Sequence, residues 1–443
     1  MLFMNKLKIL SLIAICLNLY FQGIGQELLT KDLAVEIALE NNFEIKAANN
    51  MKKIAENNAA ITNSDFLPSL SGSAGSTFAS TNSKNKFQDN RVVSVSGVET
   101  VSYNASLALN YTLFNGFGRK YNYEKLQENY NLTALQARKV IENTLYNIFF
   151  AYYEIARLTQ DQLNQNRSLT ISKERLNKAT FSFEYGQSTK LDVLNAEVDF
   201  NNDSINYLNI SQSLKTEKNN LNLLLGRSID TDFEVDTTLS FYENLVFEVL
   251  SDKAHSNNVE VLEQNSNLRN AKTNIKISSA AIIPSVGLST RYNWENNDFG
   301  PVGFLATRQS DGLNIGASIS WNLWDGGKSH TVRQNAKIAL ENESISVDQT
   351  LLNLNRNLNN AWTSYKTALF IMKAQNKNLE TNQRNFERTK EQYNLGQITS
   401  IVFRQAQLNL LNAQVNYNGA RYSAKKSELG LLQLSGDLLQ ANF

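Results

Sequence analysis

The sequence contains one unit twice. Asn41-Asn42-Phe43-Glu44-Ile45 returns as Asn257-Asn258-Val259-Glu260-Val261, and Phe66-Leu67-Pro68-Ser69-Leu70 returns as Ile282-Ile283-Pro284-Ser285-Val286, both 216 positions on. Farther along the displacement is 210. Leu113-Phe114-Asn115-Gly116 answers to Leu323-Trp324-Asp325-Gly326, Gly186-Gln187-Ser188-Thr189 to Gly396-Gln397-Ile398-Thr399, and Gly226 to Gly436. The shortening of six falls between Pro284 and Trp324. A repeat of this size fixes an architecture and not a local motif, because both copies must fold the same way and share one molecule.

Each copy passes through the same periods. Leu33, Ala34, Ile37, Ala38 and Leu39 make a helical stripe that pauses at Asn41-Asn42 and resumes to about Asp65, where Pro68 ends it. The period then becomes two. Leu70, Gly72, Ala74, Ser76 and Phe78 alternate with small polar residues, and a polar loop is expected from about Ser80 to Ser96. The return strand sets Val101, Tyr103, Ala105, Leu107, Leu109, Tyr111 and Leu113 against Ser102, Asn104, Ser106, Asn110 and Thr112. In the second copy Leu313, Ile315, Ala317, Ile319, Trp321 and Leu323 oppose Asn314, Ser318, Ser320 and Asn322. Such strands suit a membrane barrel with lipid on one side and water on the other, and equally an antiparallel soluble sheet with one wet face.

After Gly116 and Gly326 the helical period runs without proline. Arg119 to Phe183 would span roughly 98 Å if straight. Ile141, Leu145, Ile148, Tyr152 and Ile155 form one coiled-coil seam. The returning helix offers Leu191, Leu194, Val198, Asn201, Ile205 and Leu208, and its counterpart Ile401, Arg404, Leu408, Leu411, Val415, Asn418 and Tyr422. The fold class expected is an α+β membrane protein with two repeats of helix, β-hairpin and long antiparallel helical hairpin. Four strands are too few to close a barrel, and open strand edges cannot face lipid, so the chain must oligomerise.

The N-terminus reads as a secretory signal peptide over residues 1–25. Lys6 and Lys8 precede an apolar run from Ile9 to Leu19, and Gly23 and Gly25 have cleavage-site spacing. Ile15 stands where a lipoprotein signal keeps a small residue, which argues against lipidation of Cys16. Cys16 is the single cysteine, so the exported chain has no disulfide and no thiolate metal site. His255 and His330 occupy unmatched repeat positions, and neither is expected to bind metal or catalyse. With 43 Lys and Arg against 42 Asp and Glu there is no footprint for nucleic acid. No phosphate loop, dinucleotide fingerprint, nucleophile elbow or zinc-protease helix occurs, so neither enzyme activity nor a cofactor is expected. Only Met51 and Met372 follow the signal segment, so no methionine relay points to copper.

In order, and twice, these segments resemble the TolC-like outer-membrane efflux and export channels. The resemblance rests on Leu29-Thr30 to Asn42, on Phe66-Leu67-Pro68 and Leu113-Phe114-Asn115-Gly116-Gly118 with their twins, and on the hairpin tips Tyr185-Gly186-Gln187 through Asp192-Val193-Leu194-Asn195-Ala196 and Leu395-Gly396-Gln397 through Ala406. It implies a homotrimer in outer-membrane lipid of a Gram-negative bacterium, with a twelve-stranded β-barrel continued by a coiled-coil α-barrel in the periplasm. The implied partners are a periplasmic adaptor (membrane fusion) protein and an inner-membrane RND or ABC transporter, for efflux or type I secretion. The expected divisions are repeat 1 over 26–226 (β-hairpin 67–114, helical hairpin 118–226), an equatorial linker over 227–250, repeat 2 over 251–436 (β-hairpin 283–324, helical hairpin 327–436) and a tail over 437–443.

Carried onto this sequence, adaptor docking falls on Gly186, Gln187, Leu191, Gly396, Gln397 and Ile401, and the pore constriction on Asp192, Val402, Arg404 and Gln405. Structural readings stand beside these. Gly186 and Gly396 serve as left-handed turn residues in any case, and Thr189 and Asp192 have capping-box spacing. Some relatives carry acids in the second returning helix, where this chain has Val402 and Gln405, so a weaker cation preference is expected. The alternative to a channel is a non-conducting structural or adhesive coiled-coil protein of the envelope. An envelope hydrolase is a third, more distant reading. Drugs, metals and secreted polypeptides are all open as cargo.

Overall fold

The computed structural model describes residues 27–242, 245–299 and 305–440. The signal segment with Cys16, residues 243–244 of the expected linker and residues 441–443 of the tail lie outside the described residues. Contacts divide the chain into two units. One holds the residues up to Asn49, Ala137–Val261 and those from Leu351 onward; the other holds Asn50–Gln136 and Leu262–Thr350.

The elements follow the repeat. β1 (Glu27–Leu29) leads into α1 (Lys31–Asn41) and α2 (Phe43–Asn58), then β2 (Ser69–Lys86), β3 (Val92–Asn115), α3 (Gly118–Glu184) and α4 (Lys190–Leu225). A short β4 (Phe233–Val235) starts the second series: α5 (Phe247–Asn257), α6 (Val259–Ala280), β5 (Ser285–Asp298), β6 (Thr307–Ser320), α7 (Lys328–Asn394) and α8 (Ser400–Ser435). The two long helices are 67 residues each and the two returning helices 36 each.

The second unit is built on a four-stranded antiparallel sheet of order β2-β3-β5-β6. Its register puts Leu70, Ala74, Phe78, Tyr103, Leu107, Leu109, Tyr292, Trp294, Leu313 and Ile315 on one face. Ser71, Ser73, Asn104, Ser106, Ser289, Asn293 and Asn314 lie on the other. The apolar face is uncovered, with Leu70 at 70% and Ile319 at 75% exposure. Water does not tolerate such a surface: each buried aliphatic side chain recovers about 1.5–3 kcal/mol. Where strand meets helix, Gly116 has φ +66°, and a Cβ there would stand 2.6 Å from the Ala280 carbonyl oxygen, so glycine is required for both conformation and space. Arg119 closes this corner by donating to the carbonyls of Leu113 and Asp65.

Two expectations are corrected here. The stretch Ser80–Ser96 is mostly paired strand, with β2 and β3 joined to Lys86↔Val92 and only 87–91 turning. On β2 its Ser, Asn and Lys composition resembles a loop, and on β3 the bulge at Gly97 puts Val98 out of step with Val95 and Val93, so no continuous alternation betrays the strand. The opening helix ends at Asn58 and not near Asp65, and a 3-10 turn, Ile61–Asn63, follows.

The first unit is helical around a core of Leu29, Ala34, Ala38, Leu145, Ile148, Tyr152, Ile155, Leu221 and Tyr422. β1 pairs in parallel with β4, and Tyr152 fastens both by donating to the Leu29 carbonyl at 2.9 Å and accepting the Asp236 amide at 3.0 Å. Burial pushes the Tyr152 phenol up to about 12, so it stays a donor. The segment after β4 lies on α8: Tyr422 donates to the Thr237 carbonyl, the buried Lys425 to the Ser240 carbonyl, and the Tyr242 amide to the buried Glu428.

Candidate functional site

The repeated glycines build two equivalent tips. At the end of α3, Gly186 takes φ +73°, its amide reaches the Phe183 carbonyl at 2.9 Å and the Gln187 amide the Ser182 carbonyl at 2.7 Å. At the end of α7, Gly396 takes φ +71° with the Gly396 amide on Tyr393 and the Gln397 amide on Gln392. These bonds satisfy the last free carbonyls of each helix and reverse the chain. Thr189 and Thr399 then cap α4 and α8. Asp192 closes a capping box, accepting from the Thr189 hydroxyl at 2.8 Å and amide at 3.0 Å, which holds its carboxyl below the usual carboxylate range. Val402 occupies the matching place in the second tip and has no oxygen to return the bond.

Both tips present apolar side chains to solvent. Leu191 and Ile401 are 63% and 71% exposed, and Tyr185 and Leu395 still more so. Gln187, Gln397, Gly186 and Gly396 are exposed beside them, as are Asp192, Val402 and Gln405. An open groove of about 430 Å³ along the last turns of α3 is lined by Glu174, Lys178, Phe181, Tyr185 and Gln187. Nine of the ten residues singled out from sequence therefore stand at the surface of the tips.

Arg404 is the exception, and it sits in the packing between helices. Its guanidinium forms a two-point pair with Asp203 of α4, Nη1 to Oδ2 at 2.7 Å and Nη2 to Oδ1 at 2.8 Å, with Asp203 only 1% exposed. Ser172 of α3 donates to the same carboxylate and accepts from Arg404. Arg175 bonds Asp199 at 3.1 Å and the Ser400 hydroxyl at 2.9 Å, while Gln407 donates to the Ser168 carbonyl. Burial alone would raise the Asp203 carboxyl, but hydrogen bonds from Arg404 and Ser172 outweigh it and hold the group below the ordinary carboxylate range. The network ties α3 and α4 of the first hairpin to α8 of the second. Aromatic stacking continues the tie, with Phe403 on Tyr393 at 4.6 Å and the Lys178 ammonium 4.3 Å from the Tyr393 ring centre.

Sequence reasoning missed Asp203, Ser168, Ser172, Arg175, Asp199 and Gln407. The signal was a second periodicity on α4: Val193, Ala196 and Asp203 are buried. The more apolar seam chosen from sequence is the one left open, with Leu191, Leu194, Val198, Ile205 and Leu208 between 47% and 64% exposed. Of the α8 seam, Arg404, Leu411, Asn418 and Tyr422 are buried, Leu408 and Val415 are half-buried, and Ile401 is exposed. Among the described residues no cluster of His, Cys, Asp and Glu could hold a metal, and no helix is long and apolar enough to cross a membrane.

A one-faced apolar sheet joined to paired long helical hairpins defines the class of outer-membrane channels. The chain belongs to the outer membrane efflux protein family, which it matches over residues 34–227 and 250–437. It is 22% identical over 417 residues to the outer membrane efflux protein BepC of Brucella suis, covering 93% of this chain and 87% of that protein. It is 25% identical over 301 residues to the outer membrane protein TolC of Vibrio cholerae, covering 65% and 66%. Among solved structures, the CmeC outer membrane channel of Campylobacter jejuni superposes with a TM-score of 0.77 at 17% identity, over 92% of this chain and 86% of that one. The outer membrane protein VceC of Vibrio cholerae gives 0.74 at 17% identity, over 92% and 96%. The chain is an outer-membrane efflux channel of a Gram-negative bacterium, in a family of channels and not of enzymes.

Proposed function

We propose that the chain works as a homotrimer, passively conducting substrates delivered by an inner-membrane RND or ABC pump through a periplasmic adaptor. The single observation that carries this reading is the pair of open edges. β2 and β6 flank a four-stranded sheet whose apolar face is bare, and three copies joined β6 to β2 make a closed twelve-stranded barrel. The exposed α4 seam of Leu191, Leu194, Val198, Ile205 and Leu208 would be covered against a neighbouring copy in the same assembly.

The division into two repeats with a linker over 227–250 follows the same reading. Gly186, Gln187, Leu191, Gly396, Gln397 and Ile401 form the adaptor surface, their exposed apolar side chains being the natural contacts for a helical partner. Asp192, Val402 and Gln405 are the exposed candidates for the constriction, while Arg404 supports the site from within. Reconstitution in planar bilayers tests conduction: discrete channel steps are expected. Stable insertion without conductance would favour the non-conducting envelope protein instead.

A further inference from the structure

The outer hairpin of the first repeat carries a patterning inversion that conduction does not require. Among the described residues, pairing between β3 and β5 runs as far as Val101↔Asp298, while β2 and β3 continue together from Ala79↔Thr100 to Lys86↔Val92. This ribbon lies at the end of the sheet away from the helices, because all four strands join helices at their other ends. Between Thr81↔Val98 and Ser83↔Val95 the register slips by one residue on β3. Gly97 there has φ +66°, and its amide is held by the Asn82 side chain at 2.7 Å. A bulge of this kind re-aims one strand's side chains and bends the pair.

Paired residues share a face, so the slip can be followed through. Below it, Phe78 and Val101 lie on the apolar face. Glu99, opposite Ser80, already lies on that face below the slip, and above it Lys84 and Lys86 continue the face, with Val92 opposite Lys86. Val98, Val95 and Val93 fall on the small polar face, opposite Thr81, Ser83 and Asn85. The ribbon thus puts its three paired charges, with Val92, on the face that is apolar lower down, and the other three valines, with no charge, on the small polar face.

We propose that the three ribbons of a trimer bend over the outer mouth and bring Val93 and Val95 together as an apolar collar that narrows the exit. The inference rests on the trimeric barrel proposed above. Twelve strands spaced about 4.8 Å apart and tilted about 40–45° close at a radius of about 12–13 Å. The limb beyond the bulge is about 15 Å long, enough to reach the axis. A ring of valines would disfavour a continuous water column and act as a polarity filter at the exit, while the lysines face outward.

Single cysteines in a Cys16→Ala background test the geometry. In trimers verified by native mass spectrometry, Val93→Cys should oxidise to subunit-linked dimers and Lys84→Cys should not. Replacing residues 83–95 by an Asn-Gly turn, and separately making Val93→Asp with Val95→Asp, should each raise single-channel conductance at least twofold. Unchanged conductance on removing the ribbon overturns the collar whatever crosslinks form. A rise without Val93→Cys crosslinks overturns the valine assignment. Absence of both trimer and conductance in the unaltered protein overturns the barrel reading, and the collar with it.

Discussion

At the scale of single residues, conformation and charge can be separated by substitution. A Cβ on Gly186 would meet nothing within 4 Å, so only the backbone resists a side chain there. Gly186→Val should strain the turn by about 1–3 kcal/mol and impair export while trimers still form, whereas Gly186→Asn, tolerant of positive φ, should export nearly normally. Dye efflux beside native gels checks this. Removing Arg404 leaves the buried Asp203 without its cation, a change that typically costs about 3–5 kcal/mol. Arg404→Ala should be strongly destabilising in denaturant titration, and Arg404→Ala with Asp203→Ala less so than the sum of the single changes. Because the folded-state pKa of Asp203 is depressed, its contribution is present above the ordinary carboxylate value and lost as pH falls through the folded value. The wild-type advantage over Arg404→Ala should hold at neutral pH and shrink below about pH 4. Gln405 is exposed and bonds only Asn409 at 2.9 Å among the described contacts, so its side chain is free to present a charge. Gln405→Asp should raise cation selectivity and divalent-cation block; reversal potentials under a salt gradient that match wild type would place the constriction elsewhere.

At the scale of elements, α4 teaches the main lesson. Its apolar heptad was legible, and the inference that it is covered in the working protein follows from hydrophobicity alone. What covers it was not legible, because periodicity reports that a face avoids water and says nothing of whose face it meets. Within the chain, α4 uses the other seam, where Asp203 can meet Arg404. Leu208 is 64% exposed, so Leu208→Asp should leave the stability of the isolated chain unchanged while weakening association at each of three equivalent contacts, about 1.5–3 kcal/mol apiece. Circular dichroism should stay helical as the trimer dissociates on a native gel. The β2–β3 ribbon shows the converse failure: its strand character was hidden, since its β2 limb is polar throughout and the bulge at Gly97 breaks the alternation of the valines on β3.

At the scale of the whole molecule, the chain should purify from detergent as a trimer, because a monomer leaves the β2 and β6 edges unpaired in lipid at several kcal/mol per buried unsatisfied group. A monodisperse monomer that inserts into liposomes and conducts would end that reading. The sequence by itself determined the duplication, the order of helix, hairpin and helical hairpin, the glycine tips at Gly186 and Gly396, and the inner part of the α8 seam from Arg404 to Tyr422, since each is written in local period or in residues with unusual backbone freedom. Only the tertiary structure decided that Arg404 is buried against Asp203, that α4 turns its less apolar seam inward, and that the bulge at Gly97 reverses the valine face. Those depend on which distant side chains meet and on a one-residue slip between strands, and neither partnership nor register is encoded in the spacing of a single segment.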